Sequence, residues 1–509
     1  MEHYDPPLVE NEVFMNFGDA IQRNAGEMGS KPAVIFGDLV VPWAKFGAMV
    51  AQVAGQLRAE GIGRGAKVAS LAENTVEHIV LYSAVVSAGA CIVPLPYSAT
   101  AQALTRMMED SGAKLLFASP TQKETAQGLG AETVVDLSEL MDWAVGAEPA
   151  EPVKVQPEDL FNIIYSSGTT GLPKGILHDH RFRSRQLQRI TRFGLTAKDK
   201  LVISTPIYSN TTLFGLLPSL FLGGTLIVMG KFNTLEFLKL SQRLRPTHAV
   251  LVPVQYMRLM SEPRFAEFDL TSYRCKFSTS APLPGSLIAK VMERWPGNLI
   301  EVYGMTEGGI STALNCEAFP DKWDTVGRPG EGVDMRVIDE AGRELAIGSF
   351  GELVGRAPSM TQGYHNLADK TAELLWRDAK GQVFIRSGDM GRVDEDGFVH
   401  LMDRKKDMII SGGFNIYAAD LEAVLRLHPD VADTAVIAIP SDAWGETPLG
   451  FVVLNAGATT PAQEILDFAN GQLGKTQRLS KLELRDDLPR SDIGKVLKKD
   501  LRARYWPAS

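Results

Sequence analysis

Tyr165-Ser166-Ser167-Gly168-Thr169-Thr170-Gly171-Leu172-Pro173-Lys174-Gly175 follows directly on a short apolar run, Phe161-Asn162-Ile163-Ile164-Tyr165. The run reads as a buried strand. The ten positions from Ser166 to Gly175 hold three glycines, four hydroxyl residues and one lysine, a density of donors that a plain surface turn does not need. Glycines let the backbone turn tightly and approach a ligand. Successive free N–H groups in such a turn make a concave anion site, and hydroxyls with an ammonium add donors for phosphate oxygens. The stretch reads as a phosphate-gripping loop. It is not a Walker A loop, because Pro173-Lys174-Gly175 stands where that pattern needs Gly-Lys-Ser/Thr.

Working outward, strands and helices alternate on both sides of the loop. Upstream, Pro32 to Phe36 and Leu39 to Trp43 flank the turn signal Gly37-Asp38. Phe46, Met49, Val50, Val53 and Leu57 recur at helical spacing. Lys67 to Leu71, Cys91 to Leu95 and Leu115 to Ala118 read as strands, with helices over Thr75 to Ala88 and Ala101 to Asp110. Gly146 to Pro157, rich in Pro and Glu, reads as an exposed linker. Downstream, strands are expected at Lys200–Thr205, Thr225–Met229, Thr247–Val252, Arg274–Ser278 and Leu299–Val302, again with helices between them. Such alternation means βαβ units and parallel sheets. From Val326 to about Phe398 short strands with Gly turns suggest an antiparallel region. The last hundred residues read as a small α+β domain. The fold class is therefore α/β: a large domain over 1–404 with mostly parallel sheets and a small antiparallel region, then a small mobile α+β domain over 405–509.

Bulk properties exclude several classes. A chain of 509 residues is too long for one core. Its net charge of −9 argues against nucleic acid as the partner. Cys91, Cys275 and Cys316 are far apart and odd in number, which suits a reducing cytoplasm. The first residues are polar and acidic, unlike a signal peptide. Ile79 to Thr105 carries no charge, but Gly89, Pro94 and Pro96 break it, so no membrane span is expected.

Four further positions carry chemistry that suits one reaction. Glu307, beside two glycines after a strand, is a hard oxygen ligand for Mg²⁺ on phosphates. Asp389 can accept from both ribose hydroxyls, and Tyr303 offers a ring face to adenine. Lys495, on a Gly-containing loop of the small domain, can bring a mobile cation to charge developing at phosphorus.

With these residues in this order, the chain resembles the adenylate-forming superfamily: acyl- and aryl-CoA synthetases, firefly luciferase and peptide-synthetase adenylation domains. The resemblance spans nearly the whole chain. Ser166, Ser167, Gly168, Thr169, Thr170, Gly171 and Lys174 match the family's phosphate loop, and Ser280-Ala281-Pro282 its adenine segment. Tyr303-Gly304-Met305-Thr306-Glu307 matches the motif that stacks on adenine and binds Mg²⁺ through the glutamate, Thr306 and Glu307 being counted as catalytic. Asp389 matches the ribose aspartate. In Asp403-Arg404-Lys405-Lys406-Asp407, Arg404 takes a ribose- or phosphate-contacting, catalytic position and Lys406 the hinge. Gly412, Gly413 and Phe414 resemble the segment lining the pantetheine tunnel, and Lys495 the catalytic lysine. What the resemblance implies is acyl-AMP formation from ATP and a small-molecule carboxylic acid, then transfer to CoA after the small domain swings. A homodimer is left open.

By the same resemblance, Tyr208, Ser209, Thr211, Ser280, Gly304, Met305, Gly309 and Ile310 should line the acid pocket. Pro206 to Phe214 holds no acidic residue to pair with an α-amine, so amino acids are not expected. Many acyl-CoA synthetases carry a His where this chain has Ser209. Gly308-Gly309 is expected to leave flat space for a ring, favouring an aromatic or arylalkanoic acid over a medium-chain fatty acid. The alternative acceptor is a carrier protein, although no carrier domain follows Ser509. Arg181, Arg183, Arg185, Arg189 and Arg192 read as a solvated face or, more sharply, as a seat for the 3′-phosphate of CoA or a second carboxylate. His178-Asp179-His180 has the look of a metal triplet, with no further ligand cluster in range.

Overall fold

In a computed structural model, the described residues are 13–166, 173–404, 407–411, 414–441, 444–474, 477–492 and 494–506, without the side chains of residues 189, 403, 404, 414 and 415. The chain divides into two compact units. One runs to Met335 and includes Gly355–Ile385; the other joins Arg336–Val354 to the chain from Arg386 onward.

The first unit contains two large sheets. A six-stranded sheet runs Thr133–Asp136, Leu115–Ala118, Lys67–Leu71, Cys91–Pro94, Leu160–Ser166, Lys174–Asp179. Its pairs are parallel except the last. In that last, antiparallel pair Ser166 lies opposite Lys174, so a hairpin brings the two ends of the phosphate motif together. A nine-stranded sheet is parallel from Asn298–Gly304 through to Pro32–Phe36, with antiparallel edges at Ser311–Asn315, Arg328–Pro329 and Leu39–Pro42.

The uncharged stretch after Thr75 becomes the helix Val76–Ser87, in which every residue but Glu77 is buried, followed by the buried strand Cys91–Pro94. A helix that is apolar all round belongs in a core. Among the described residues no helix is long and apolar enough to cross a membrane.

One expectation fails here. The stretch from Gly146 to Pro157 is not a free linker but a strap along two helices. Ala150 N–H donates to Ala51 O at 2.9 Å and Val153 N–H to Ser87 O at 2.8 Å. Val155 is buried, and the Glu148 carbonyl lies 2.0 Å from where a Cβ on Gly55 would sit. The strap crosses there because position 55 has no side chain.

The small antiparallel region appears as a five-stranded sheet in which the long strand Val383–Val393 forms a hairpin with Val399–Arg404. Near the C-terminus, Gly445–Leu454 is the central strand of a five-stranded sheet, and Val431–Ser441 pairs with it along one edge. Helices Ala418–Leu425 and Ala462–Gln472 cover it, with Leu421, Leu425, Ile465 and Ala469 in one core cluster. The expected α/β class holds: mostly parallel large sheets, a small antiparallel sheet and a separate small C-terminal domain.

Candidate active site

The phosphate hairpin is anchored at its base. Tyr165 Oη donates to Asp110 Oδ2 at 2.6 Å and lies 3.0 Å from Met107 O, and Asn366 Nδ2 donates to the same carboxylate. Hydrogen bonds to its charged form outweigh burial and hold the Asp110 pKa below the ordinary carboxylate range. The strand after the loop then meets the segment around residues 359–365. Leu177 N–H donates to Gly363 O and His365 N–H to Gly175 O. The other side of this segment pairs with the Glu307 motif: Thr361 N–H donates to Glu307 O at 2.8 Å and Gly309 N–H to Ser359 O at 2.8 Å.

Tyr364 lies on this wedge, 5 % exposed. Its hydroxyl donates to Glu307 Oε1 at 2.8 Å, and Lys174 Nζ sits 4.9 Å from its ring centroid. One aromatic side chain thus joins the phosphate-loop lysine to the proposed Mg²⁺ ligand. The partly exposed Glu307 carboxylate, with one oxygen oriented by a phenol, fits a hard-oxygen ligand to a phosphate-bound Mg²⁺.

The adenine segment and the acid loop also meet. Ser280 Oγ and Thr211 Oγ1 form a hydrogen bond. Ser280 adopts φ +81°, a left-handed conformation that costs a non-glycine residue ~1–3 kcal/mol. Ser209 is buried and caps the helix Asn210–Leu222, its hydroxyl accepting from Thr211 N–H. The preceding Tyr208 packs edge-to-face on Tyr97, ring centroids 5.4 Å apart. Asn74 fixes this loop from the other sheet by accepting from Ile207 N–H and donating to Thr205 O and Met229 O.

In the second unit, Asp389 pairs in register with Arg404 across the hairpin. Lys495 lies on a tight turn. Ser491 N–H donates to Lys495 O at 2.8 Å, and Gly494 takes φ +75°. Arg490 secures the turn through Gly494 O and an ion pair to Asp433.

Several expectations need correction. The flat space beside Gly308-Gly309 is filled by neighbouring backbone and side chains. A Cβ on Gly308 would meet Ser359 O at 2.2 Å, and one on Gly309 would meet Gly355 O and Ile385 Cβ at 2.8 Å. Both have positive φ, so these positions are glycine for packing and conformation. Ile310 is 2 % exposed, its Cγ1 lying 2.4 Å from where a Cβ on Gly355 would sit. The arginines after the loop are not one solvated face: Arg183 and Arg185 are buried, and Arg185 donates to Pro358 O at 2.7 Å. Arg181 and Arg192 do reach solvent, pairing with Glu158 and Glu331. The His178-Asp179-His180 triplet has three separate surroundings. His178 Nε2 bonds Thr306 O, Asp179 accepts from Phe182 N–H and Gln362, and His180 packs on Phe161. Ser167 to Gly171, Lys406, Gly412 and Gly413 lie outside the described residues, as do the side chains of Arg404, Phe414 and Arg189.

A family model described as AMP-binding enzyme matches residues 21–365, and one for the AMP-binding enzyme C-terminal domain matches 420–495. The chain belongs to the AMP-binding enzyme family. It falls in the adenylate-forming superfamily, in the acyl- and aryl-CoA synthetase branch, and is an AMP-forming acid–thiol ligase. A feruloyl-CoA synthase of Amycolatopsis sp. is 32% identical over 478 residues, covering 93% of this chain and 96% of its own. A fatty acid–[acyl-carrier-protein] ligase of Streptomyces coeruleorubidus is 30% identical, covering 89% and 90%. The crystal structure of ATP-bound MatB from Rhodopseudomonas palustris superposes with a TM-score of 0.85 at 31% identity, covering 96% of this chain and 99% of that one.

Proposed function

We propose that this chain is an ATP-dependent acid:CoA ligase acting on an apolar aromatic or arylalkanoic acid. The observation that carries the acid class is the Tyr97–Tyr208 pair beside the Thr211–Ser280 contact, on a loop without an acidic side chain. Rings and small hydroxyls there suit an apolar body with a carboxylate, whereas an α-amine would go unpaired. The similarity to a feruloyl-CoA synthase, whose acyl group carries a ring, supports the same reading.

The residues divide the work as follows. Ser166 to Gly175 with Lys174 binds the outer phosphates, Tyr303 and Ser280-Ala281-Pro282 seat adenine, and Asp389 and Arg404 hold ribose. Glu307 would hold Mg²⁺, which would neutralise phosphate charge. The acid's carboxylate attacks the α-phosphorus in line, forming the acyl–phosphate bond and expelling pyrophosphate. The Lys495 ammonium offsets the charge that develops there. Residues 405–509 then turn about Lys406, withdrawing Lys495 and presenting Gly412-Gly413-Phe414. The CoA thiol, losing its proton, attacks the adenylate carbonyl and AMP leaves. The three free, buried cysteines suit a cytoplasmic protein, as one chain or a homodimer.

The test is pyrophosphate release with benzoates, cinnamates, phenylacetates, arylpropionates, C2–C12 fatty acids, malonate and amino acids, with and without CoA. Release with ring-bearing acids, and a thioester when CoA is added, is the expected result. Preference for a C6–C12 chain would replace the acid class. Release that CoA does not capture would favour a carrier-protein acceptor, the reading that the carrier-protein ligase relative supports.

A further inference from the structure

Beneath the Glu307 motif lies a polar cluster with no part in the chemistry above. Asn162, His178 and Arg183 are each 1 % exposed or less. Arg183 Nε donates to Asn162 Oδ1 at 2.8 Å, and its Nη1 donates to Gln186 Oε1 at 2.6 Å and Asn210 Oδ1 at 2.8 Å. Its Nη2 lies 2.9 Å from His178 Nδ1, which Asn162 Nδ2 also approaches at 3.0 Å. All four acceptors are neutral. The ring is stacked on Phe182 at 4.1 Å.

The geometry fixes the state of the imidazole. His178 Nε2 lies 2.7 Å from Thr306 O. A carbonyl only accepts, so Nε2 carries the proton. Nδ1 then faces two donors, a guanidinium and an amide, and must offer its lone pair. The ring is neutral, as burial and the guanidinium charge both favour. The cluster therefore aims one N–H at the peptide joining Thr306 to Glu307. Its other end reaches Asn210, the first residue of the helix that carries Thr211.

We infer that His178, held as its Nε2–H tautomer by Arg183 and Asn162, is the positioning residue that sets the Thr306–Glu307 peptide and so the direction of the Glu307 carboxylate. Tyr364 orients that carboxylate through its side chain, and His178 fixes the main chain. The inference rests on the adenylate-forming reading for what Glu307 does. It adds residues that follow from their contacts here. A buried cation with neutral acceptors is costly to keep, and a core that needed only packing would hold apolar side chains instead.

The test compares His178→Gln, whose amide can donate to Thr306 O while accepting from Arg183, with His178→Leu, which can do neither. Calorimetry with Mg·ATP, without any acid, is the first readout. We expect His178→Leu to weaken Mg·ATP binding about tenfold or more, the scale for losing a group that orients a metal ligand. His178→Gln should stay within about threefold of wild type. ATP binding without Mg²⁺ should change little in either, a split that general loss of structure does not produce. Nitrogen-15 NMR of wild type should show an imidazole protonated on Nε2 alone, absent from His178→Gln. Equal binding by wild type and His178→Leu overturns the inference, as does a proton on Nδ1; the latter needs no variant to fold. If wild type binds Mg·ATP but releases no pyrophosphate with any acid, the proposed ligase reading falls while the binding ratios still decide this one.

Discussion

Replacing Tyr364 by Phe isolates one hydrogen bond at the centre of the site. The ring is buried among Ile176, Met360 and Leu374, so a phenyl group keeps the packing and still faces Lys174. What is lost is the 2.8 Å bond to Glu307 Oε1. A hydrogen bond to a charged group contributes ~1.5–3 kcal/mol, and partial exposure of Glu307 argues for the lower end. At ~1.4 kcal/mol per decade, kcat/KM for ATP should fall about tenfold. Pyrophosphate release at varied ATP and saturating Mg²⁺ measures it, with a thermal melt as control. Tyr364→Leu should fall further, because it also removes the ring face from Lys174, worth ~0.5–1 kcal/mol. Wild-type kcat/KM for Tyr364→Phe would refute the orienting role. Equal losses in Phe and Leu would refute the cation–π share.

Other outcomes follow from the same structure. Lys495→Ala should slow acyl-adenylate formation by ~10²-fold while thioester formation from preformed adenylate is largely spared; equal loss in the two half-reactions would show that the lysine does something else. Gly308→Ala should lower the melting temperature sharply, because a Cβ would fall 2.2 Å from Ser359 O at positive φ; an unchanged melt would show that the wedge yields. Burial lowers His78, His180 and His248 to about 4. Unfolded histidines take protons first as pH drops below ~6.5, so stability present above that value is lost toward pH ~4. Melts across that window should show the slope, and His78→Asn should flatten part of it. Glu301 has the opposite sign: burial raises its pKa, so stability falls as pH rises past the ordinary carboxylate range. Glu301→Gln should remove that fall, measured by melts at pH 5 and pH 8.

The strand–helix alternation was legible because βαβ units carry their own punctuation. Apolar runs end at Gly37, Gly61 and Gly89, and Thr75 caps the helix that follows it. Motif residues such as Lys174 and Glu307 were legible by type and spacing. What escaped depended on partners far along the chain. Nothing in Thr361-Gln362-Gly363-Tyr364 announces that its tyrosine reaches Glu307. Arg183 read as a surface charge because helical spacing cannot show that Asn162 and Asn210 accept hydrogen bonds from it. Composition made Gly146–Pro157 a linker, although its backbone bonds to Ala51 and Ser87 are independent of side-chain type. The reading of Gly308-Gly309 as room for a substrate confused a missing side chain with empty space.

The wedge around residues 359–365 carries amides that belong to two neighbours at once. Thr361 N–H is held by Glu307, His365 N–H by Gly175, and the segment's carbonyls hold Leu177 and Gly309 N–H. None of these four can open without loosening the segment shared by both sides. In deuterium exchange they should therefore behave as one cooperative unit with a common opening free energy. Nucleotide gripped at the phosphate loop should then slow exchange at Gly309 as well as at Leu177, on the far side of the wedge.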